Sequence, residues 1–168
     1  MGVSGSGKST LGQALADALG WRFIEGDTLH PPSNIAKMAA GTPLTDGDRQ
    51  PFLENVARSI VVLPEGVVVS CSALKRAYRD LIRSIAGDVT FVLPMLTREQ
   101  LQFRMAQRAN HFMPAALLES QLQTLELPGA DEDAVQIDGT LSVEAQVNRV
   151  LTNSALNLPK SSIGGNPG

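Results

Sequence analysis

Apolar residues in this chain alternate between helical spacing and short continuous runs. Spacings of three and four residues predict helices at about 8–19, 34–40, 53–61, 74–85, 97–108, 114–125 and 142–151. The runs at 21–24, 67–69, 89–93 and 134–138 predict strands between them. Strands that alternate with helices favour a parallel sheet covered on both faces, so we expect an α/β fold.

Two stretches carry sharper local signals. The run Val67, Val68 and Val69 is continuously β-branched, which is typical of a strand buried on both faces. Thr97 and Gln100 stand three residues apart ahead of an apolar pattern, so they predict a capping box at the start of a helix.

Length and charge limit the possible classes of protein. A chain of 168 residues with 43% apolar residues can form one domain, which we place at 1–153, and the Ser-, Gly- and Pro-rich residues 154–168 predict a disordered tail. Fourteen basic and seventeen acidic residues give a net charge of -3, which argues against a nucleic-acid partner.

Cysteine usage and hydropathy indicate the compartment. The single cysteine, Cys71, excludes an internal disulfide and is expected to be a small packed residue in a reducing environment. No apolar run reaches about 18 residues and no signal peptide is recognisable, so we expect a cytoplasmic protein without a membrane partner.

The most specific motif is G-x-x-x-x-G-K-[ST], a phosphate-binding loop that runs from Gly2 to Ser9. Its backbone N–H groups would hold a nucleotide, Lys8 would reach the β- and γ-phosphates as a catalytic group, and the Ser9 hydroxyl would bind Mg²⁺. The alternative is a disordered Gly/Ser leader, which the amphipathic helix that follows disfavours. The predicted nucleotide-binding residues are Gly2, Val3, Ser4, Gly5, Ser6, Gly7, Lys8, Ser9 and Thr10.

Two usual companions of this loop are missing. The loop normally follows a buried strand, yet only Met1 precedes Gly2, so either the sheet lacks its usual first strand or the sequence is shortened, which we prefer. An aspartate is also missing after Val69, where Ser70 and Cys71 stand instead. We therefore expect the metal to be held by Ser9, phosphates, water and Asp27.

Asp27 is the best candidate for the chemical step. It follows a predicted strand, and ligands of open α/β sheets bind at the carboxyl ends of the strands. It would orient the acceptor hydroxyl or the metal shell, and the alternative is a turn cap. The segment after it crowds polar side chains into a region that we assign to the substrate: His30, Asn34, Lys37, Asp46, Asp48 and Arg49.

Basic residues at helical spacing form two further candidate groups. Arg104, Arg108 and His111 would share one helix stripe if the helix extends that far, and such a lid would stabilise the transferred phosphoryl group. Lys75 and Arg79 suit an anionic substrate. Solvated surface charges are the alternative for both groups.

Several stretches in one order resemble the gluconokinases, which are small-molecule P-loop kinases related in fold to shikimate and nucleoside monophosphate kinases. The resemblance covers roughly residues 2–151. It rests on the phosphate loop, on 26–31, 34–38 and 41–49, on 71–75 with Tyr78 and Arg79, and on the lid-like run 104–112 with Leu117, Leu118, Ser120, Gln121, 125–126 and Pro128.

This resemblance implies a three-layer P-loop kinase fold with a helical lid, in which the first strand is absent from this chain. It implies that ATP, with Mg²⁺, phosphorylates the 6-hydroxyl of D-gluconate, and that the protein is a homodimer. Arg104 and Arg108 would then close over the phosphates. The residues expected to contact substrate are Asp27, His30, Arg49, Lys75, Arg79 and His111.

The chain departs from the family pattern in two further places. Phe52 stands where a tryptophan is common, and Asn110 replaces a glycine ahead of His111. The alternatives are a kinase of this fold for shikimate or a nucleotide, a nucleotide-dependent switch, and an inactive nucleotide-binding homologue. The absence of an N-K-x-D motif argues against a GTPase switch.

Overall fold

A computed structural model describes residues 1–107 and 115–153, and the side chains of 115 and 116 lie outside that description. The predicted tail at 154–168 is likewise outside it. The helices of the described part are α1 (Lys8–Leu19), α2 (Pro32–Ala39), α3 (Asp46–Val61), α4 (Arg76–Ala86), α5 (Arg98–Ala106), α6 (Ala115–Thr124) and α7 (Val143–Leu151). The strands are β1 (Arg22–Glu25), β2 (Val67–Ser70), β3 (Phe91–Met95) and β4 (Ala134–Asp138), and a 3-10 turn spans Gly26–Leu29.

The described strands form two parallel pairs. β1 lies beside β2 with Arg22 opposite Val67, and β3 lies beside β4 with Phe91 opposite Ala134. On one face, α1 packs against β1, β2 and α7, while α7 packs against β4. On the other face, Phe52 and Val56 of α3 share a core with Phe91 and Leu93 of β3. The same two helical layers therefore cover both pairs, which confirms the α/β fold.

The two pairs are separated where a central strand would lie. β2 and β3 are not hydrogen-bonded to each other, and a cavity of about 260 Å³ lies between them. Val67, Val68 and Val69 line this cavity and are only half-buried, so the expected burial on both faces is wrong for them. Their exposure follows from the missing neighbour, since no strand precedes the phosphate loop within the described residues.

The observed helix ends agree better with the polar capping residues than with the spacing of apolar residues. α3 begins at Asp46, well before the first apolar position, because Thr45 and Asp48 form a capping box there. The predicted box of Thr97 and Gln100 is confirmed at the start of α5. α5 then ends at Ala106, so it is shorter than the predicted helix to about 108. No helix in the described ranges has the length and apolar content needed to cross a bilayer.

Candidate active site

The phosphate loop curls into a compact turn ahead of α1. Gly5 and Gly7 have φ angles of 81° and 88°, a region that residues with a side chain rarely adopt. The Leu11 N–H donates to the Gly7 carbonyl at 2.9 Å and so closes the first helical turn. The predicted nucleotide-binding residues thus lie together at a helix N-terminus, where N–H groups and the helix dipole attract anions.

One polar atom in this loop has no protein partner. The Ser6 hydroxyl is buried and makes no hydrogen bond with the described residues. A buried hydroxyl without a partner is costly. This unpaired group, beside a row of backbone donors, fits a loop that takes up a polar ligand.

α5 reaches the phosphate loop through two adjacent side chains. Arg104 donates from Nη1 to the Ser6 carbonyl at 3.4 Å and from Nη2 to the Gly139 carbonyl at 2.7 Å. Met105 lies so close to Gly5 that an added Cβ would meet its Cγ at 2.9 Å. The structure therefore brings the predicted Arg104 to the loop, while Arg108 and His111 lie outside the described residues.

α6 contacts the same loop from another side. The Ser4 N–H donates to Oε1 of Gln121 at 2.7 Å. The sequence motifs assign no role to Gln121, Met105 or Gly139, although Gln121 lies within the lid-like run. Side chains of both predicted lid helices therefore contact the backbone that would hold phosphate.

The turn that carries Asp27 is fixed by contacts between β1 and β2. The Ser70 hydroxyl donates to the Glu25 carboxylate, and it accepts from the Gly26 N–H at 3.2 Å. An added Cβ on Gly26 would meet the Ser70 carbonyl oxygen at 1.9 Å, so only glycine fits. Ser70, at the position where an aspartate was missing, thus serves to position the exposed Asp27.

His30 lies within the electrostatic influence of Asp27 and Arg49. Burial lowers the pKa of His30 below its ordinary value, and the charge of Arg49 acts in the same direction while that of Asp27 opposes it. His30 stacks on Phe52 with ring centroids 3.8 Å apart. Nδ2 of Asn34, which can only donate, lies 3.3 Å from Nδ1 of His30. In the neutral ring Nδ1 is therefore the acceptor, and the proton is on Nε2.

The base of the substrate region is held by buried polar contacts. Asn34 is almost fully buried and donates to the Asp48 carbonyl at 2.7 Å. Lys37 lies 2.7 Å from the Asp48 carboxylate, and this contact is the main cause that lowers the pKa of Asp48 to about 2. Arg49 has no ion-pair partner within the described ranges, so its charge remains available.

Lys75 lies at the edge of this region in a polar cluster. Its ammonium is 2.8 Å from Oδ2 of Asp46, and the Tyr78 hydroxyl donates to Oδ1 of the same carboxylate at 2.5 Å. The hydrogen bond from Lys75 is the main cause that lowers the pKa of Asp46, and it raises the pKa of Lys75 in turn. The Lys75 side chain is one third exposed and so can exchange this partner for another anion.

Arg79 is not at the surface of the site. It is fully buried, and its Nε and Nη2 donate to the Glu132 carboxylate at 2.5 and 2.9 Å. Nη1 donates to the carbonyls of Ala73, Leu74 and Glu126. The structure therefore buries Arg79 and surrounds it with protein acceptors.

The donors for a metal are few. In the described part of the chain, no group of three or more His, Cys, Asp or Glu side chains could hold an ion. Ser9 lies in the first turn of α1, and Asp27 lies in the 3-10 turn that follows β1. One hydroxyl and one carboxylate suit Mg²⁺, which keeps most of its waters and binds with substrate phosphates.

Comparisons with known proteins agree on one family. A family model described as AAA domain matches residues 1–128. A gluconokinase of Gluconobacter oxydans is 49% identical over 142 residues, which cover 83% of this chain and 80% of that protein. Among solved structures, a gluconokinase from Sinorhizobium meliloti has a TM-score of 0.82 at 49% identity, covering 90% of this chain and 86% of that one.

A sugar kinase from a Janibacter species, solved without ligand, has a TM-score of 0.83 at 43% identity and covers 90% of both chains. These proteins share the phosphate-loop fold over nearly the whole described chain. With identities this high over most of each relative, the chain belongs to the gluconokinase family of P-loop kinases.

Proposed function

We propose that this chain transfers the γ-phosphoryl group of ATP to the 6-hydroxyl of D-gluconate, giving 6-phosphogluconate and ADP. The observation that carries the proposal is the junction after β2. Gly2 of the phosphate loop donates to the Ser72 carbonyl at 3.1 Å, and Gly26 of the Asp27 turn donates to Ser70. One short segment therefore supports both the phosphate loop and the proposed catalytic carboxylate.

The loop would bind the polyphosphate and neutralise its charge. Lys8 would contact the β- and γ-phosphates, with the N–H groups from Gly2 to Thr10 around them. Ser9, with Asp27, would hold Mg²⁺, which supplies positive charge to the same oxygens when it is bound. Arg104 would exchange its carbonyl contacts for the equatorial oxygens of the transferred group, and Arg108 stays a prediction for the same task.

Asp27 would orient the acceptor and receive its proton. In the transfer, the gluconate O6 forms a bond to the γ-phosphorus as the bond from that phosphorus to the β,γ-bridging oxygen breaks. ADP leaves with the electron pair of the broken bond, and the O6 proton passes to the Asp27 carboxylate. The exposed position of Asp27 beyond β1 gives a hydroxyl access to it.

The cationic residues of the substrate region would bind the gluconate anion. Arg49, without an ion-pair partner in the described ranges, and Lys75 suit its carboxylate, and neutral His30 can donate from Nε2 to a hydroxyl. His111 stays a prediction. Arg79, enclosed by acceptors, would position the segment that leads to Glu132 instead of contacting gluconate.

The test is ADP release by the full chain with Mg·ATP, with D-gluconate, shikimate, a nucleoside monophosphate or no acceptor. Stimulation by gluconate alone, lost in Lys8→Ala, supports the proposal. Stimulation by another acceptor moves the chain to a different substrate within the same fold. No stimulation together with measurable ATP binding favours an inactive nucleotide-binding homologue. A homodimer and a cytoplasmic location stay predictions.

A further inference from the structure

Glu126 forms hydrogen bonds on both sides of Lys75. The Glu126 N–H donates to the Leu74 carbonyl at 2.8 Å, and Oε2 of its carboxylate accepts from the Arg76 N–H at 2.6 Å. The Leu74 carbonyl belongs to the peptide group before the Cα of Lys75, and the Arg76 N–H belongs to the peptide group after it. Because a residue's backbone turns only about the two bonds between these groups, Glu126 fixes the direction in which the Lys75 side chain leaves the backbone.

Lys75 stands directly before α4, at the position where a polar side chain usually caps a helix. A lysine has no acceptor atom, and the Lys75 side chain forms no cap. The Glu126 carboxylate, 50 residues further along the chain than Arg76, supplies the acceptor instead. The capping position is therefore open to a lysine whose ammonium is available for another partner.

The Lys75 ammonium lies at the edge of the substrate region. It is 2.9 and 2.8 Å from the two carboxylate oxygens of Asp46, and 5.5 Å from the centre of the Tyr78 ring. The side chain is one third exposed, so a ligand carboxylate can take the place of Asp46. A side chain that is already held in this place loses less conformational entropy on binding than one that must first be ordered.

Glu126 is itself placed by the end of α6. The Leu125 N–H donates to the Gln121 carbonyl at 3.0 Å, and Leu125 packs against the apolar cluster that contains Leu74. Gln121 also accepts the Ser4 N–H of the phosphate loop. One helical segment therefore contacts the phosphate loop through Gln121 and the Lys75 backbone through Glu126.

We propose that Glu126 is a positioning residue for gluconate binding, which holds both peptide groups of Lys75 so that the ammonium is in place for the substrate carboxylate. Glu126 acts through Lys75 and does not contact gluconate. The required feature is an acceptor oxygen within reach of the Arg76 N–H, and not the negative charge. This role rests on the proposed function, in which Lys75 binds the gluconate carboxylate.

The experiment compares the full chain with three variants of Glu126, whose exposed side chain leaves room for each of them. Glu126→Gln keeps an acceptor oxygen at the same reach without the charge. Glu126→Asp keeps the charge on a side chain that is one methylene shorter, and Glu126→Ala removes both. Glu144→Ala is the matched control, because the exposed Glu144 carboxylate also lies at the first turn of a helix, α7.

The first readouts are kcat and the KM values for gluconate and ATP. We expect Glu126→Ala and Glu126→Asp to raise the KM for gluconate about fivefold, the binding equivalent of a typical helix cap, with smaller changes in kcat and in the KM for ATP. Glu126→Gln and Glu144→Ala should match the wild type.

The second readout is the pKa of the Asp46 carboxyl, measured by NMR titration, which needs no gluconate. The hydrogen bond from Lys75 is the main cause that lowers this pKa. In Glu126→Ala and Glu126→Asp the pKa should rise toward its ordinary value of 3.8, because Lys75 is held less firmly. In Glu126→Gln it should stay at the wild-type value.

A wild-type KM for gluconate in Glu126→Ala, or equal losses in Glu126→Gln and Glu126→Ala, would overturn the proposal. An equal rise in the KM for ATP would also overturn it, because it would indicate a general loss of structure. If the wild type does not phosphorylate gluconate, the proposed function fails. The Asp46 pKa then decides alone whether Glu126 positions Lys75.

Discussion

The Ser70 hydroxyl joins the ends of β1 and β2 by accepting from the Gly26 N–H at 3.2 Å while it donates to the Glu25 carboxylate. Gly26 lies so close to β2 that an added Cβ would meet the Ser70 carbonyl oxygen at 1.9 Å. The 3-10 turn that carries Asp27 therefore begins at a point where two backbones are in direct contact.

Gly26→Ala is expected to lower the free energy of unfolding by about 3 kcal/mol, because the new methyl group must displace backbone. Urea denaturation measures the change. Gly47→Ala is the matched control, since its added Cβ would meet nothing closer than the Thr45 hydroxyl at 3.8 Å. A Gly26→Ala protein as stable as the Gly47→Ala protein would show that the strands separate easily here.

Asp27→Asn is expected to reduce kcat about 10²- to 10⁴-fold, the usual contribution of a positioned proton acceptor, while ATP binding is retained. Steady-state kinetics and ATP titration together test this. Asp17→Asn, on the exposed side of α1 where Asp17 pairs with Gln13, should leave both quantities unchanged. If Asp27→Asn kept nearly full kcat, Asp27 would have only a structural role in the turn and none in the chemical step.

Arg104→Ala is expected to lower kcat about 10²- to 10³-fold, because it removes a preorganised donor from the transferred phosphoryl group. The KM for gluconate should change less. Gln102→Ala, exposed on the same helix, controls for changes in α5. If the KM rises while kcat holds, Arg104 belongs to the gluconate pocket instead.

Arg79→Met is expected to destabilise the protein by about 3–5 kcal/mol, since Glu132 would be left as an unpaired buried charge. Arg79→Met with Glu132→Leu should recover most of that loss, because both charges are then absent. Folded Arg79→Met should keep the wild-type KM for gluconate. A raised KM without loss of stability would restore Arg79 to the substrate site.

Stability is expected to depend on pH through the Met1 amino group. Its pKa is about 5 when folded and 8.0 ordinarily, so between these values the unfolded chain binds the extra proton. Stability therefore falls as the pH drops from about 8 to about 5, by about 4 kcal/mol in total. An Nα-acetylated chain, denatured in urea at the same pH values, should lose this contribution. If the stability of the free and the acetylated chain depends on pH with the same slope, the prediction is wrong. His30 cannot cause a difference between the two samples, because it titrates in both.

The apolar pattern predicted the element order because each helix buries one stripe and each strand is short and apolar. Its errors lie at the ends. α3 starts at its Thr45 cap and α5 ends at Ala106, since end positions depend on hydrogen bonds to which apolar spacing is insensitive. The phosphate loop was predictable because its spacing follows from the geometry of phosphate binding.

Contacts between segments far apart in the sequence were harder to predict from residue spacing. Lys75 and Arg79 are equivalent by spacing, yet one is partly exposed beside Asp46 and the other is buried against Glu132. The difference arises from the 126–132 segment, which folds back over α4 and provides acceptors from far along the chain. Gln121 was missed for the same reason, because its partner Ser4 is 117 residues away.

The carbonyl contacts of Arg104 have a further consequence for the rate of catalysis. Because Ser6 and Gly139 already hold both ends of its guanidinium, most of its rotamer entropy is lost before any nucleotide arrives. Phosphate oxygens would then compete with two fixed carbonyls for an arginine that is already in place. The Arg104 side chain would therefore reach the phosphate by exchanging hydrogen-bond partners, without a search through side-chain conformations.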